Sequence, residues 1–165
     1  MRHCVIGIDP GLAATGIAVV TGSGRRIDSF AYGVIKTAST SSTEARLEKI
    51  HSGIASFFQK EKPDLVILED VFSLEKYPKS GITLGKVLGV ILLAVRQADI
   101  TVKEIPVREA KQILTGNGSA GKEQLEKAVR QTLGCRTAIR PYHASDALGL
   151  ALIGLFRYDS RQLQI

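Results

Sequence analysis

The stretch LVIL at residues 65–68 constrains this chain more than any other segment. Four consecutive apolar residues in strand conformation put hydrocarbon on both faces, so both faces must be covered. Asp64 before the run and Glu69–Asp70 after it hold it to strand length. A strand of that kind belongs inside a sheet, parallel to a neighbour, with helices above and below.

The flanking segments supply that setting. Residues 3–10 are mostly apolar and β-branched, and Ala14–Val20 resumes the pattern after a short turn. Asp28–Ile35 alternates and completes an antiparallel meander. Beyond the Thr/Ser-rich loop Thr37–Thr43, the residues Leu47, Ile50, Ile54, Phe57 and Phe58 share one helical face, with Thr43 as N-cap and Lys60–Pro63 as the end. Val71–Lys79 lacks a period and reads as a loop, followed by a helix over Ile82–Gln97. Thr101–Val107 reads as a strand with Pro106 near its end, where an edge strand tolerates the missing N–H. Helices follow over Arg108–Leu114, Glu123–Leu133 and His143–Phe156. This order predicts an α/β fold: a five-stranded mixed sheet, an antiparallel meander plus parallel strands, with helices on both faces. No linker or repeat interrupts it, and 165 residues with 44% hydrophobic content suffice for one domain over residues 1–165.

Composition removes several classes of function. Cys4 and Cys135 lie far apart, and Cys4 falls in a strand pattern, so a reduced core thiol is expected rather than a disulfide scaffold. No leader is apparent, and the most hydrophobic segment has only nine uncharged residues, Val87–Val95, too few to span a bilayer. A soluble, cytoplasmic protein without a membrane partner is expected. The net charge of +6 is concentrated: Ser73–Arg140 holds twelve Lys or Arg against six Asp or Glu, while the remainder holds ten of each. A basic bias over one region favours a polyanionic partner, although such surfaces also occur in proteins that bind no nucleic acid.

Three carboxylates stand where burial demands apolar residues: Asp9 in the first strand, Glu69 at the end of the LVIL strand, and Asp146 inside the helix ASDALGLALIGL. A buried carboxylate is costly unless paired or bound to a metal, and several together repel one another. Taken singly, each has an ordinary explanation at a strand end or in the first turn of a helix. His143 and Asp146, however, are three apart and share a helical face, as metal-site pairs do. Pro10 and Gly11 bend the chain directly after Asp9 and open space beside it. Together these residues suit hard divalent cations such as Mg²⁺ or Mn²⁺, two of which, about 4 Å apart, can activate water and stabilise the leaving oxygen of a phosphodiester.

GNGSAG at residues 116–121 fits two nucleotide-binding patterns, but both need a preceding strand, and VREAKQIL before it reads as a helix. The remaining readings are a helix-terminating turn and a phosphate contact. In the latter, Gly116, Gly118 and Gly121 allow close backbone approach, Ser119 and the following helix present N–H groups, and Lys111 and Lys122 supply charge.

The stretches IGIDPGLAATGIAVV, LEDVF, EIPVREAKQILTGNGSAGKEQ and YHASDALGLALI, in that order over nearly the whole length, resemble the RuvC family of Holliday-junction resolvases in the ribonuclease H-like superfamily. The resemblance implies a ribonuclease H-like fold and a homodimer that nicks four-way junction DNA symmetrically with Mg²⁺, leaving 5′-phosphate and 3′-hydroxyl ends. It implies that Asp9, Glu69 and Asp146 are three of the family's four catalytic metal ligands. The fourth falls on His143, where many members have Asp and some have His; the neutral imidazole would shift preference toward Mn²⁺. Lys111 and Lys122 match basic residues near the scissile phosphate and along the junction backbone. Phe72 matches an aromatic that stacks on unpaired bases at the crossover, with Tyr77 as a possible assistant. The helix from Ile82 to Val95 suits either the dimer interface or the core. A branch-migration complex of RuvA and RuvB is the implied partner. An RNA-processing nuclease of the same superfamily and a catalytically inactive junction-binding protein are the alternatives. An actin-like ATPase would need a second, duplicated domain for which the chain has no room.

Overall fold

A computed structural model describes residues 1–70 and 78–157, apart from the side chains of residues 78–80. Three antiparallel strands, β1 (His3–Asp9), β2 (Ala14–Ser23) and β3 (Arg26–Lys36), open the chain. They are followed by α1 (Thr43–Glu61), β4 (Leu65–Asp70), α2 (Pro78–Gln97) and β5 (Thr101–Pro106). Three helices close it, α3 (Val107–Thr115), α4 (Lys122–Thr132) and α5 (Tyr142–Arg157). The sheet order is β3-β2-β1-β4-β5, with β4 parallel to both β1 and β5.

The expected mixed sheet is therefore present, and LVIL occupies an interior parallel strand with all four residues buried. Pro106 is the last residue of β5, which lies at an edge of the sheet, a position that tolerates a residue without an N–H. Some boundaries differ from those expected. The N-cap of α1 is Ser42, whose extended backbone precedes the helix without a side-chain capping bond, so Thr43 is its first helical residue. α2 begins at Pro78 rather than Ile82: proline's fixed φ suits the first helical position, and residues 78–79 belong to the helix, not to a loop. Residues 71–77 lie outside the described part. β3 starts two residues early because the turn at Gly24, with φ of 57°, lets the hairpin pair down to Ser23 and Arg26.

The two-residue period of the strands divides the core in two. Val5 of β1, Ala18 and Val20 of β2, and Leu65 and Ile67 of β4 pack against α5, together with residues of α3 and α4. Ile6, Ile8, Ile17, Val19, Val66 and Leu68 point the other way, onto α1 and α2. Almost every α5 side chain from Ala144 to Leu155 is buried, which makes this helix the central brace of one layer. Among the described residues, no helix is long and apolar enough to cross a membrane.

α5 lies unusually close to the sheet because the strands beneath it carry glycine. A Cβ placed on Gly7 would sit 2.0 Å from the Ala147 carbonyl oxygen, and one on Gly16 would sit 1.9 Å from the His143 carbonyl oxygen. Both obstacles are backbone and cannot swing aside. Gly7→Ala is therefore expected to lose about 3 kcal/mol in chemical denaturation through overpacking. Gly33→Ala, on an edge strand with open space at its Cβ, should stay within about 0.5 kcal/mol of wild type. Equal stability of the two variants contradicts the close-approach account.

Candidate active site

Parallel pairing sets the level of two carboxylates. Ile8 pairs with Leu68, so the next residues, Asp9 and Glu69, end neighbouring strands side by side. By the two-residue period, Asp9 shares the face of Val5 and Gly7, and Glu69 that of Leu65 and Ile67. That is the face covered by α5. The glycines Gly7 and Gly16 admit the backbone of α5 at Ala147 and His143, so its first turn rests over these strand ends. His143 and Asp146 are thereby brought to Asp9 and Glu69 from more than 70 residues away in sequence.

The four groups interact directly. His143 Nδ1 donates a hydrogen bond to Asp9 Oδ2 at 2.5 Å, with the Asp9 side chain 8% exposed and the His143 ring 44% exposed. An ionised carboxylate only accepts, so this bond fixes the proton on Nδ1 and leaves the lone pair of a neutral ring on Nε2. The same bond raises the His143 pKa, against the opposing effect of its partial burial. Burial pushes Glu69 up to about 9, reinforced by the charge of Asp9, a hydrogen bond to Asp9 and the charge of Asp146. Asp146 is pushed up to about 6, again by burial first and by Asp9 second.

Lys111 and Lys122 offset this repulsion in part. Lys111, on α3, lowers the pKa of both Glu69 and Asp146, and Lys122, the first residue of α4, lowers that of Asp146. The glycine segment between them connects two helices, as the helical pattern before it requires. Gly116 terminates α3 in the left-handed conformation, with φ of 75°. Its amides are already engaged: Gly118 N–H donates to Gln112 Oε1, Ser119 N–H to Asn117 Oδ1, and Gly121 N–H to Gln124 Oε1. Gln112 also donates through Nε2 to the Gly116 carbonyl, so it clasps the loop from both sides. Phe72 and Tyr77 lie outside the described residues.

The donor chemistry fits a hard divalent cation. Three carboxylates and an imidazole converge, and Asp146 Oδ1 is buried with no hydrogen-bond partner among the described residues. Such an oxygen calls for a cation or a proton donor. No three acidic, His or Cys side chains among the described residues are drawn in around one point as a finished ligand set. Instead, Asp9 bonds His143 directly. A cleft of about 570 Å³ lies elsewhere, at the seam of α1 and α2 near Phe58, Ala94 and Ile100, toward the opposite strand ends. Sequence reasoning found the four chemical groups but not Gly7 or Gly16, which let them meet. The available signal was a glycine inside an otherwise β-branched strand, a mark of close backbone approach.

Comparison with known proteins shows the family of the chain. The family model for the crossover junction endodeoxyribonuclease RuvC matches residues 5–154. The RuvC enzyme of Neorickettsia sennetsu is 39% identical over 164 residues, covering 96% of each chain. That of Rhodopirellula baltica is 36% identical over 151 residues, 92% of this chain and 85% of its own. Among solved structures, the RuvC of T. thermophilus in complex with Holliday junction substrate superposes with a TM-score of 0.86 at 32% identity, covering 93% of each chain. The matched span runs from the strand bearing Asp9 to the helix bearing Asp146, and on that ground the chain belongs to the RuvC family of crossover junction endodeoxyribonucleases.

Proposed function

We propose that Asp9, Glu69, His143 and Asp146 form the catalytic and cation-binding centre with which this endodeoxyribonuclease resolves Holliday junctions in DNA recombination and repair. The observation that carries the reading is the convergence of three carboxylates from distant segments into a buried cluster, where burial and the charge of Asp9 raise the pKa of Glu69 and Asp146. Folding stability gives no reason to gather like charges out of water. A need for bound cations does.

Mg²⁺ is the cation proposed, two per site, with Mn²⁺ as a substitute favoured by the imidazole of His143. Held by these residues, divalent cations would supply a water of lowered pKa for attack on phosphorus and would neutralise the leaving 3′ oxygen. The chain's own residues do the rest. Asp9 holds the His143 ring by its Nδ1 proton, Asp146 offers an unpartnered oxygen, and Lys111 and Lys122 meet the phosphate's charge at the edge of the acidic cluster. Gly118, Ser119 and Phe72 complete the proposed junction contacts. Cleavage on these lines leaves 5′-phosphate and 3′-hydroxyl ends.

The functional unit proposed is a homodimer of single nuclease domains, since symmetric cutting needs two equivalent sites on a two-fold axis. α2 supports this. Its outer face carries Ile82, Leu92 and Leu93 at 65%, 37% and 50% exposure, with Gly85 and Gly89 exposed between them. Apolar side chains interleaved with glycines at helical spacing suit close contact with a second copy. RuvA and RuvB are the proposed branch-migration partners, and the cytoplasm is the proposed compartment.

Two measurements check this reading. Asp9→Asn, Glu69→Gln and Asp146→Asn are each expected to slow cleavage of a labelled four-way junction with Mg²⁺ by at least about 10³-fold, roughly 4 kcal/mol of barrier. Junction binding should persist, and full cleavage by any one variant removes that residue from the centre. The second concerns cation-free protein. An acid whose folded pKa lies above its unfolded value takes stability away as pH rises between the two. That window runs from 4.5 to about 9 for Glu69 and from 3.8 to about 6 for Asp146. His143 acts in the same direction: its contribution is full below 6.5 and is lost as pH rises through its raised folded pKa. Melting temperature without divalent cation should therefore fall from about pH 5 to about pH 9, with Glu69→Gln flattening the decline and Mn²⁺ stabilising most at the alkaline end. A wild-type profile no steeper than that of Glu69→Gln contradicts the account.

A further inference from the structure

The segment between α4 and α5 holds a cation that the catalytic cluster does not use. Arg140 is exposed, two residues before Tyr142 and three before His143. Its guanidinium carbon sits over the Tyr142 ring at 4.2 Å from the centroid. Its Nη1 also donates to the Ile139 carbonyl at 3.2 Å. Both contacts hold the head group in place, and neither consumes its charge: among the described residues Arg140 forms no ion pair.

The backbone beneath is equally fixed. Ile139 is 1% exposed and packs in the core layer of α5. Its N–H donates at 2.9 Å to Oε1 of Glu126, a carboxylate only 4% exposed that also takes the Arg130 Nε at 3.0 Å. Arg140 is therefore mounted on an anchored chain, stacked on a ring and without an ion pair among the described residues, three residues before His143 of the acidic cluster. A long side chain ordinarily loses rotamer freedom when it grips a phosphate, and this arrangement has removed much of that loss in advance. The aromatic face adds attraction for the guanidinium without neutralising it.

We propose that Arg140, held by Tyr142, is a DNA-binding residue that grips a phosphodiester of the junction strand as it passes the first turn of α5. The proposal rests on the junction-resolving reading of the same site. Its role is to bind and orient the strand; bond cleavage belongs to the acidic cluster.

The test is equilibrium binding of a fluorescein-labelled immobile four-way junction, and of a linear duplex of matching sequence, without divalent cation. Wild type, Arg140→Ala, Arg140→Gln and Tyr142→Leu are compared from about 50 to about 200 mM KCl, each variant first checked by circular dichroism. Arg140→Ala and Arg140→Gln should weaken junction binding about fivefold at about 100 mM salt and reduce the slope of log K against log salt by about one, the loss of one phosphate contact. Tyr142→Leu keeps the charge, so affinity should drop about twofold with the slope unchanged. A purely structural role for Arg140 would leave the slope where it was. Wild-type affinity and slope in both Arg140 variants, with junction binding intact, overturn the proposal alone. Failure of wild type to prefer the junction over the duplex overturns the junction-resolving reading and this proposal with it.

Discussion

Repulsion among buried carboxylates is the constraint on which the rest of this molecule depends. Asp9 and Glu69 are delivered by adjacent parallel strands, and Asp146 arrives on a helix laid across them. Burial and mutual charge push Glu69 and Asp146 well above ordinary carboxylate values. Such a cluster stays together only if the scaffold around it is stable without it. The two apolar layers provide that, with a nearly fully buried α5 on one side and α1 and α2 on the other.

Rigid backbone contact then converts the layers into a site. Gly7 and Gly16 remove the side chains that would separate α5 from β1 and β2, so the helix meets the sheet backbone to backbone. Two residues along β1 from Gly7 comes Asp9. The first turn of α5, at the Gly16 contact, carries His143. Packing and chemistry are thus close neighbours: Gly16 pairs with Asp9 and backs onto His143, and Gly7 lies two residues before Asp9, so a substitution at either glycine should disturb the site.

Much of this was legible in the sequence, for identifiable reasons. LVIL could satisfy both its faces only inside a parallel sheet, and Pro106 fitted only a strand with a free edge. Asp9, Glu69 and Asp146 stood out because charge in an apolar run is costly, and the helical spacing of His143 and Asp146 survived unchanged. Less local features escaped. The roles of Gly7 and Gly16 depend on which helix crosses which strand, and a one-dimensional pattern does not carry that. The N-cap of α1 shifted from Thr43 to Ser42 because neighbouring hydroxyl residues offer the same local signal. The Gly118 and Ser119 amides, expected to face phosphate, already donate to Gln112 and Asn117. The glycine loop is thus held in a set shape by its own side chains, and its phosphate contacts would have to come from that shape.

Gathered acids would account for the proposed cation-dependent hydrolysis but do not by themselves choose a four-way junction. On the proposed reading, that choice comes from two copies held at fixed spacing and a basic surface leading to each site. Its most direct test is cleavage by wild-type protein of a labelled four-way junction, a linear duplex and a structured RNA, each with Mg²⁺ or Mn²⁺ and with chelator. The account predicts paired, symmetric nicks in strands of like polarity, confined to the junction and absent with chelator. Cleavage of the linear duplex or the RNA at a comparable rate, or nicks that persist in chelator, would contradict it.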